Sequence, residues 1–72
     1  MASFGERLRG LRKLRHFTQK EMADMLHITE RAYQRYENDS STPHFAVLIT
    51  LADFFDVSID YLVGRSDDPK RH

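Results

Sequence analysis

Twice in the first 21 residues a hydroxyl side chain is followed three places later by a glutamate, at Ser3 and Glu6 and again at Thr18 and Glu21. This spacing is that of a capping box, in which the hydroxyl accepts from the third helical amide while the glutamate reaches back to the amide of the cap. Each pair therefore marks where a helix begins. Behind Ser3, the apolar residues Phe4, Leu8, Leu11 and Leu14 recur at helical spacing, with arginines on the other faces. Behind Thr18 come Met22, Ala23 and Leu26. A third cap, Thr29, follows Leu26 by only three residues, so the second helix must stop, turn at His27-Ile28 and restart at once. Two short helices joined by so tight a turn leave few architectures open.

The rest of the chain reads as helix too. From Thr29, helical spacing sends Ala32, Tyr33 and Tyr36 inward and puts Glu30, Arg31, Gln34, Arg35 and Asn38 on the opposite, donor-rich face. Asp39 to Thr42 has turn chemistry, and Pro43 suits the first position of a fourth helix. That helix runs through Phe45, Leu48, Ile49, Leu51, Ala52 and Phe55, and is the most apolar segment. Ser58 caps a short fifth helix from Ile59 to Val63, which Gly64 stops. The expected fold is a compact all-α bundle of five helices. Three glycines and two prolines are too few for an all-β chain of this length.

Seventy-two residues make one domain with a thin core, since a chain this short buries only roughly 60% of its unfolded surface. Cysteine is absent, which excludes disulfide frameworks, Cys-ligated zinc and thiol catalysis. The four histidines have no metal-ligand spacing, and neither a cofactor nor a small-molecule ligand is expected. Catalysis is not expected either, because so small a bundle offers little concave surface for an activated nucleophile. No stretch approaches the ~18 apolar residues of a membrane span, and no signal-peptide core follows the polar start, so a cytoplasmic protein is expected. Residues 1–65 are read as the domain and 66–72 as a polar tail that frays.

Net charge is zero, but its distribution is not even. Residues 1–37 carry eight basic against five acidic side chains, and residues 38–72 three against six. The positive half contains the tight turn.

A helix, a three-residue turn and a second helix with a bare polar face are the parts of a DNA-binding helix-turn-helix. Residues 8–64 resemble the Xre/Cro-type, lambda-repressor-like family of bacterial and phage repressors. The resemblance is carried by Leu8, Leu11-Arg12, Thr18 to Ala23, Leu26 to Thr29, Tyr36-Glu37-Asn38, Pro43 and the run Leu51 to Gly64. It implies a regulator that occupies a palindromic operator as a homodimer, with the third helix in the major groove of double-stranded DNA. The alternative is a protein-interaction module, such as the DNA-binding antitoxin of a toxin pair.

By the same resemblance Thr29, Glu30, Arg31 and Arg35 fall at base-contact positions, with Gln34 beside them. The residues agree, because Arg31 and Arg35 are one turn apart and a guanidinium can donate twice to guanine. Glu30 either accepts from a cytosine amino group, repels wrong sites, or orients Arg31 or Gln34. Gln19 matches a glutamine that grips a phosphate, Asn38 lies near the backbone, and Arg9, Lys13 and Lys20 are generic phosphate candidates. Arg12 and Glu37 match a structural ion pair between the first and third helices. Phe54, Phe55, Val57, Ile59 and Leu62 are the expected dimer contacts. The chain departs from the family at three positions: His27 and Asp39, where glycine is usual, and Tyr33, whose hydroxyl at an inward site needs a partner or a path to the surface.

Overall fold

In the computed structural model, which describes residues 2–71, α1 spans Phe4–Leu14, α2 Gln19–Leu26, α3 Glu30–Glu37, α4 Phe45–Phe55 and α5 Ile59–Leu62. Met1 and His72, the last residue of the expected tail, lie outside the described residues. Local chemistry divides the chain this way. Ser3, Thr18, Thr29 and Ser58 each accept at the side-chain oxygen from the third helical amide, and the first two complete their capping boxes through Glu6 and Glu21.

The helix ends share one device. An amide just beyond each helix donates five residues back: Phe17 to Arg12, Ile28 to Ala23, Ser40 to Arg35, Val57 to Ala52 and Arg65 to Asp60, at 2.8 to 3.1 Å. This is the Schellman cap, and it puts the residue before the donor in the left-handed region. His16, His27, Asp39 and Asp56 occupy that place at φ of 62, 58, 59 and 54°, and only Gly64, at 84°, is glycine. His27 and Asp39 thus stand at left-handed turns, at the two positions where the resemblance implies glycine.

Packing centres on α3. Tyr33 is fully buried, and Leu8, Met22, Ala23, Leu51, Ala52, Phe55, Val57 and Leu62 close the core around it. The start of α1 presses on the end of α3 so closely that a Cβ on Gly5 would lie 2.3 Å from the Glu37 carbonyl oxygen. Asp39, in the loop after α3, bonds the same place: its carboxylate accepts from the Gly5 amide at 2.9 Å and from the Ser3 hydroxyl at 2.7 Å. Those bonds hold the Asp39 carboxyl below its usual range.

Two expectations need correction. Pro43 does not open α4; it is buried ahead of the helix, and the chain stays extended through His44 (φ −62°, ψ 157°), whose carbonyl accepts the first helical bonds. The helix therefore begins two residues later, at Phe45. Leu14 leaves the apolar stripe of α1 and is 75% exposed, because the helix ends there and the chain turns away at His16. Contacts also reach into the polar tail. Pro69 accepts from the Ser58 amide at 3.0 Å, Asp67 pairs with Arg7 at 3.1 Å, and Arg71 pairs with Asp53 at 2.6 Å while reaching the Ala52 carbonyl. A guanidinium at the carbonyl end of α4 is the favourable partner for that helix dipole.

Candidate nucleic-acid interface

The interface is built around one buried carboxylate. Glu37, at the last turn of α3, has a side chain with no solvent exposure. Arg12 of α1 forks onto it, Nε to Oε2 at 2.6 Å and Nη2 to Oε1 at 3.2 Å, and spends Nη1 on the Phe17 carbonyl at 3.0 Å. The Tyr33 hydroxyl donates to Oε2, and Gln19 Nε2 donates to Oε1 at 3.2 Å. Burial alone would raise the Glu37 carboxyl, yet the bonds from Arg12, Tyr33 and Gln19 outweigh it and hold the group below the carboxylate range. Burial, reinforced by the bond to Glu37, pushes the Tyr33 phenol up, so it remains a neutral donor. This answers the Tyr33 question left by the sequence: its hydroxyl goes inward to the carboxylate.

Through Glu37 the first three helices become one rigid frame. Gln19, at the start of α2, donates to Glu37 and accepts from Gln34 Nε2 at 3.2 Å. Gln34 also lies 3.4 Å from Glu30 Oε2, one turn earlier on α3. Of the roles open to Glu30, orientation of Gln34 is the one visible in the free molecule. Thr29 uses its hydroxyl to cap α3, accepting from the Ala32 amide at 3.0 Å.

The basic side chains divide by whether the fold already uses them. Arg7 pairs with Asp67, Arg9 with Glu37 at 3.5 Å, Arg12 with Glu37, Lys20 with Asp24 at 3.6 Å, and Arg71 with Asp53. Arg15 donates to the Phe54 and Phe55 carbonyls. Arg31 and Arg35, like Lys13, Arg65 and Lys70, are exposed and enter no ion pair among the described residues. They line a shallow hollow of about 300 Å³ with Thr29, Ala32, Tyr36 and Ser41. Beside the start of α2 a second open hollow, of about 600 Å³, brings Arg9, Lys13, Gln19 and Lys20 together with Glu30. Asn38 follows α3 as its exposed C-cap.

The expected dimer contacts are not one surface. Phe55, Val57 and Leu62 are core residues, 3, 5 and 0% exposed, so they cannot meet a second copy without unpacking the first. Phe54 sits half a helical circuit from Phe45 and packs on Phe17, ring centres 5.3 Å apart. Only Ile59 remains of that set, and it lines a groove with Ile49 and Ala52. Phe45 and Ile49, one turn apart on α4 and 66 and 38% exposed, are apolar surface on a helix whose faces the sequence did not separate. Their exposure follows from the rotation of α4, which apolar content all round the helix conceals.

Comparison with known proteins agrees with this geometry. The sequence profile of the helix-turn-helix family matches residues 8–62. The chain belongs to that family. This helix-turn-helix chain is 41% identical over 64 residues to the uncharacterized HTH-type transcriptional regulator YobD of Bacillus subtilis, covering 89% of the chain and 57% of the relative. It is 36% identical over 70 residues to the HTH-type transcriptional regulator ImmR of the same organism, covering 97% and 55%. The cryptic phage CTXphi transcriptional repressor RstR of Vibrio cholerae matches at 40% over 60 residues, 83% of the chain and 54% of the relative. The chain thus spans about half the length of these curated relatives. Among solved structures, the P22 c2 repressor in complex with synthetic operator 9T superposes with a TM-score of 0.81 at 26% identity, over 92% of this chain and all of that one. These relatives are transcriptional regulators rather than enzymes, and no helix among the described residues is long and apolar enough to cross a membrane.

Proposed function

We propose that this chain is the sequence-specific DNA-binding domain of a transcriptional repressor, which blocks its operator by occupancy. The observation that carries this reading is the placement of two arginines: Arg12 and Arg15 are spent on Glu37 and on the Phe54 and Phe55 carbonyls, whereas Arg31 and Arg35 stand together on the outer face of α3, in no ion pair among the described residues. In this reading α3 enters the major groove, Thr29, Glu30, Arg31, Gln34 and Arg35 face base edges, and each arginine takes a guanine. Gln19 retains one amide hydrogen for a phosphate after its bond to Glu37, and Arg9, Lys13, Lys20 and Asn38 flank the same backbone. Two copies meet through Ile59 together with Phe45 and Ile49, presenting their α3 helices about one DNA turn, ~34 Å, apart on a palindrome. The operator-bound P22 c2 repressor supports this docking by its similar backbone.

Selection of bound fragments from random duplex DNA tests the reading. A symmetric motif with guanine in each half-site is expected. Arg31→Ala or Arg35→Ala should cost about 1–3 kcal/mol and relax preference at one base pair. Equal losses on every sequence would reduce these arginines to phosphate contacts, and no enriched sequence at all would refute the proposal.

A further inference from the structure

An ionised carboxylate accepts hydrogen bonds and donates none, so any amide beside it must turn its nitrogen toward it. Glu37 is such a group, paired with Arg12 and sealed from solvent. Gln19 accordingly presents Nε2 to Glu37, which leaves its Oε1 directed at α3. Gln34 must then present its own Nε2 to that oxygen, and the same nitrogen approaches Glu30 Oε2. Reversing the Gln34 amide would set its oxygen against two other oxygens at once. Its orientation is therefore determined from both ends.

With both amide hydrogens directed at Gln19 and Glu30, Gln34 has only its oxygen left to offer, and Glu30 beside it also only accepts. We infer that Glu37, acting through Gln19, is a positioning residue for base specificity: it makes the Gln34–Glu30 edge of α3 an acceptor-only reader that selects an amino-bearing base. In the major groove such bases are adenine, through N6, and cytosine, through N4; guanine offers N7 and O6, and thymine O4 and a methyl group. Arg31 and Arg35 form the complementary donor edge, so one short helix reads with two opposite polarities. The inference rests on the docking of α3 proposed above.

The test is the same selection, run on the full chain and on Gln34→Ala, Glu30→Gln and Gln19→Ala. The unsubstituted chain should restrict one position of each half-site to adenine or cytosine by on the order of tenfold, the effect of one good polar contact. Gln34→Ala should weaken the preference at that position and at no other, with Glu30 alone left to accept there. Glu30→Gln, which can present a nitrogen, should admit guanine or thymine there. Gln19→Ala should weaken the preference at the same position with Gln34 still in place, a change that a phosphate contact, acting equally on all sequences, does not produce. A Gln34-dependent position that selects guanine or thymine overturns the inference, as does a preference untouched by Gln19→Ala. Enriched DNA without any such position also overturns it but leaves the docking intact, whereas no enriched DNA overturns both.

Discussion

Four of the five left-handed helix caps are not glycine, and substituting glycine should have opposite signs at two of them. A non-glycine residue in this region is disfavoured by roughly 1–2 kcal/mol, while glycine raises unfolded-state entropy by the equivalent of about 0.4–1 kcal/mol. At His27, exposed and without a side-chain hydrogen bond among the described residues, only these two effects operate. His27→Gly should therefore stabilise the domain by up to about 1 kcal/mol, a rise of roughly 4–8 °C in melting temperature for a chain this size. Asp39 differs because its carboxylate ties the loop after α3 to the Gly5 amide and the Ser3 hydroxyl. Charged hydrogen bonds are worth about 1.5–3 kcal/mol each when shielded; Asp39 is exposed, so the pair together contributes about 2 kcal/mol after solvent screening. Asp39→Gly loses this and regains under 1 kcal/mol of backbone relief, for a net loss of about 1 kcal/mol. Asn at the same place, which tolerates the backbone and keeps one acceptor, should fall between. Urea unfolding of the three variants measures the differences directly. If Asp39→Gly stabilises as much as His27→Gly, the carboxylate bonds contribute nothing and the argument from them fails.

The other outcomes follow from the same contacts. Glu37→Ala leaves the Arg12 charge and the Tyr33 hydroxyl without their partner and should cost about 3–5 kcal/mol by chemical denaturation; a loss below 1 kcal/mol would mean the network is not cooperative. Because the Glu37 carboxyl is depressed in the folded state, its contribution is complete above the ordinary carboxylate value near 4.3 and disappears as pH falls through the folded value. Acid unfolding should accordingly shift toward neutral pH in Arg12→Ala, and an unchanged acid midpoint would refute that assignment. In α1, Gly5→Ala should destabilise by about 2 kcal/mol or more against the Glu37 carbonyl, whereas Gly10→Ala, in open space, should stabilise by about 0.5–1 kcal/mol. Equal effects would place the α1–α3 contact elsewhere. Ile59→Asp or Phe45→Asp should convert a dimer to a monomer by light scattering, with an unaltered mass moving the interface off α4 and α5.

Much of the fold was legible because it is governed by residues within four places of one another. The boxes at Ser3 and Thr18, the Thr29 cap and the stop at Gly64 are all of this kind, and they placed the helix-turn-helix. His27 and Asp39 could be singled out as left-handed only through the family that usually has glycine there. His16 and Asp56 carried no such signal, since their conformation is imposed by caps that exist only once the helices end. The start of α4 was misplaced for the converse reason: proline is compatible with a helix start, but here its ring is buried in the loop.

The order of caps and apolar residues along the chain was enough to determine five helices, the tight turn and the polar face of α3. These are matters of backbone amides and side chains that are neighbours in the chain. Tertiary packing alone decided which of the cations stay free, that Gln19 joins Glu37 to Gln34, that the tail lies on α4, and that Phe45 rather than Phe55 faces outward. Those relations join groups far apart in sequence, and the rotation of each helix about its axis selects them. Composition and periodicity leave that rotation unspecified wherever a helix, like α4, is apolar on every side.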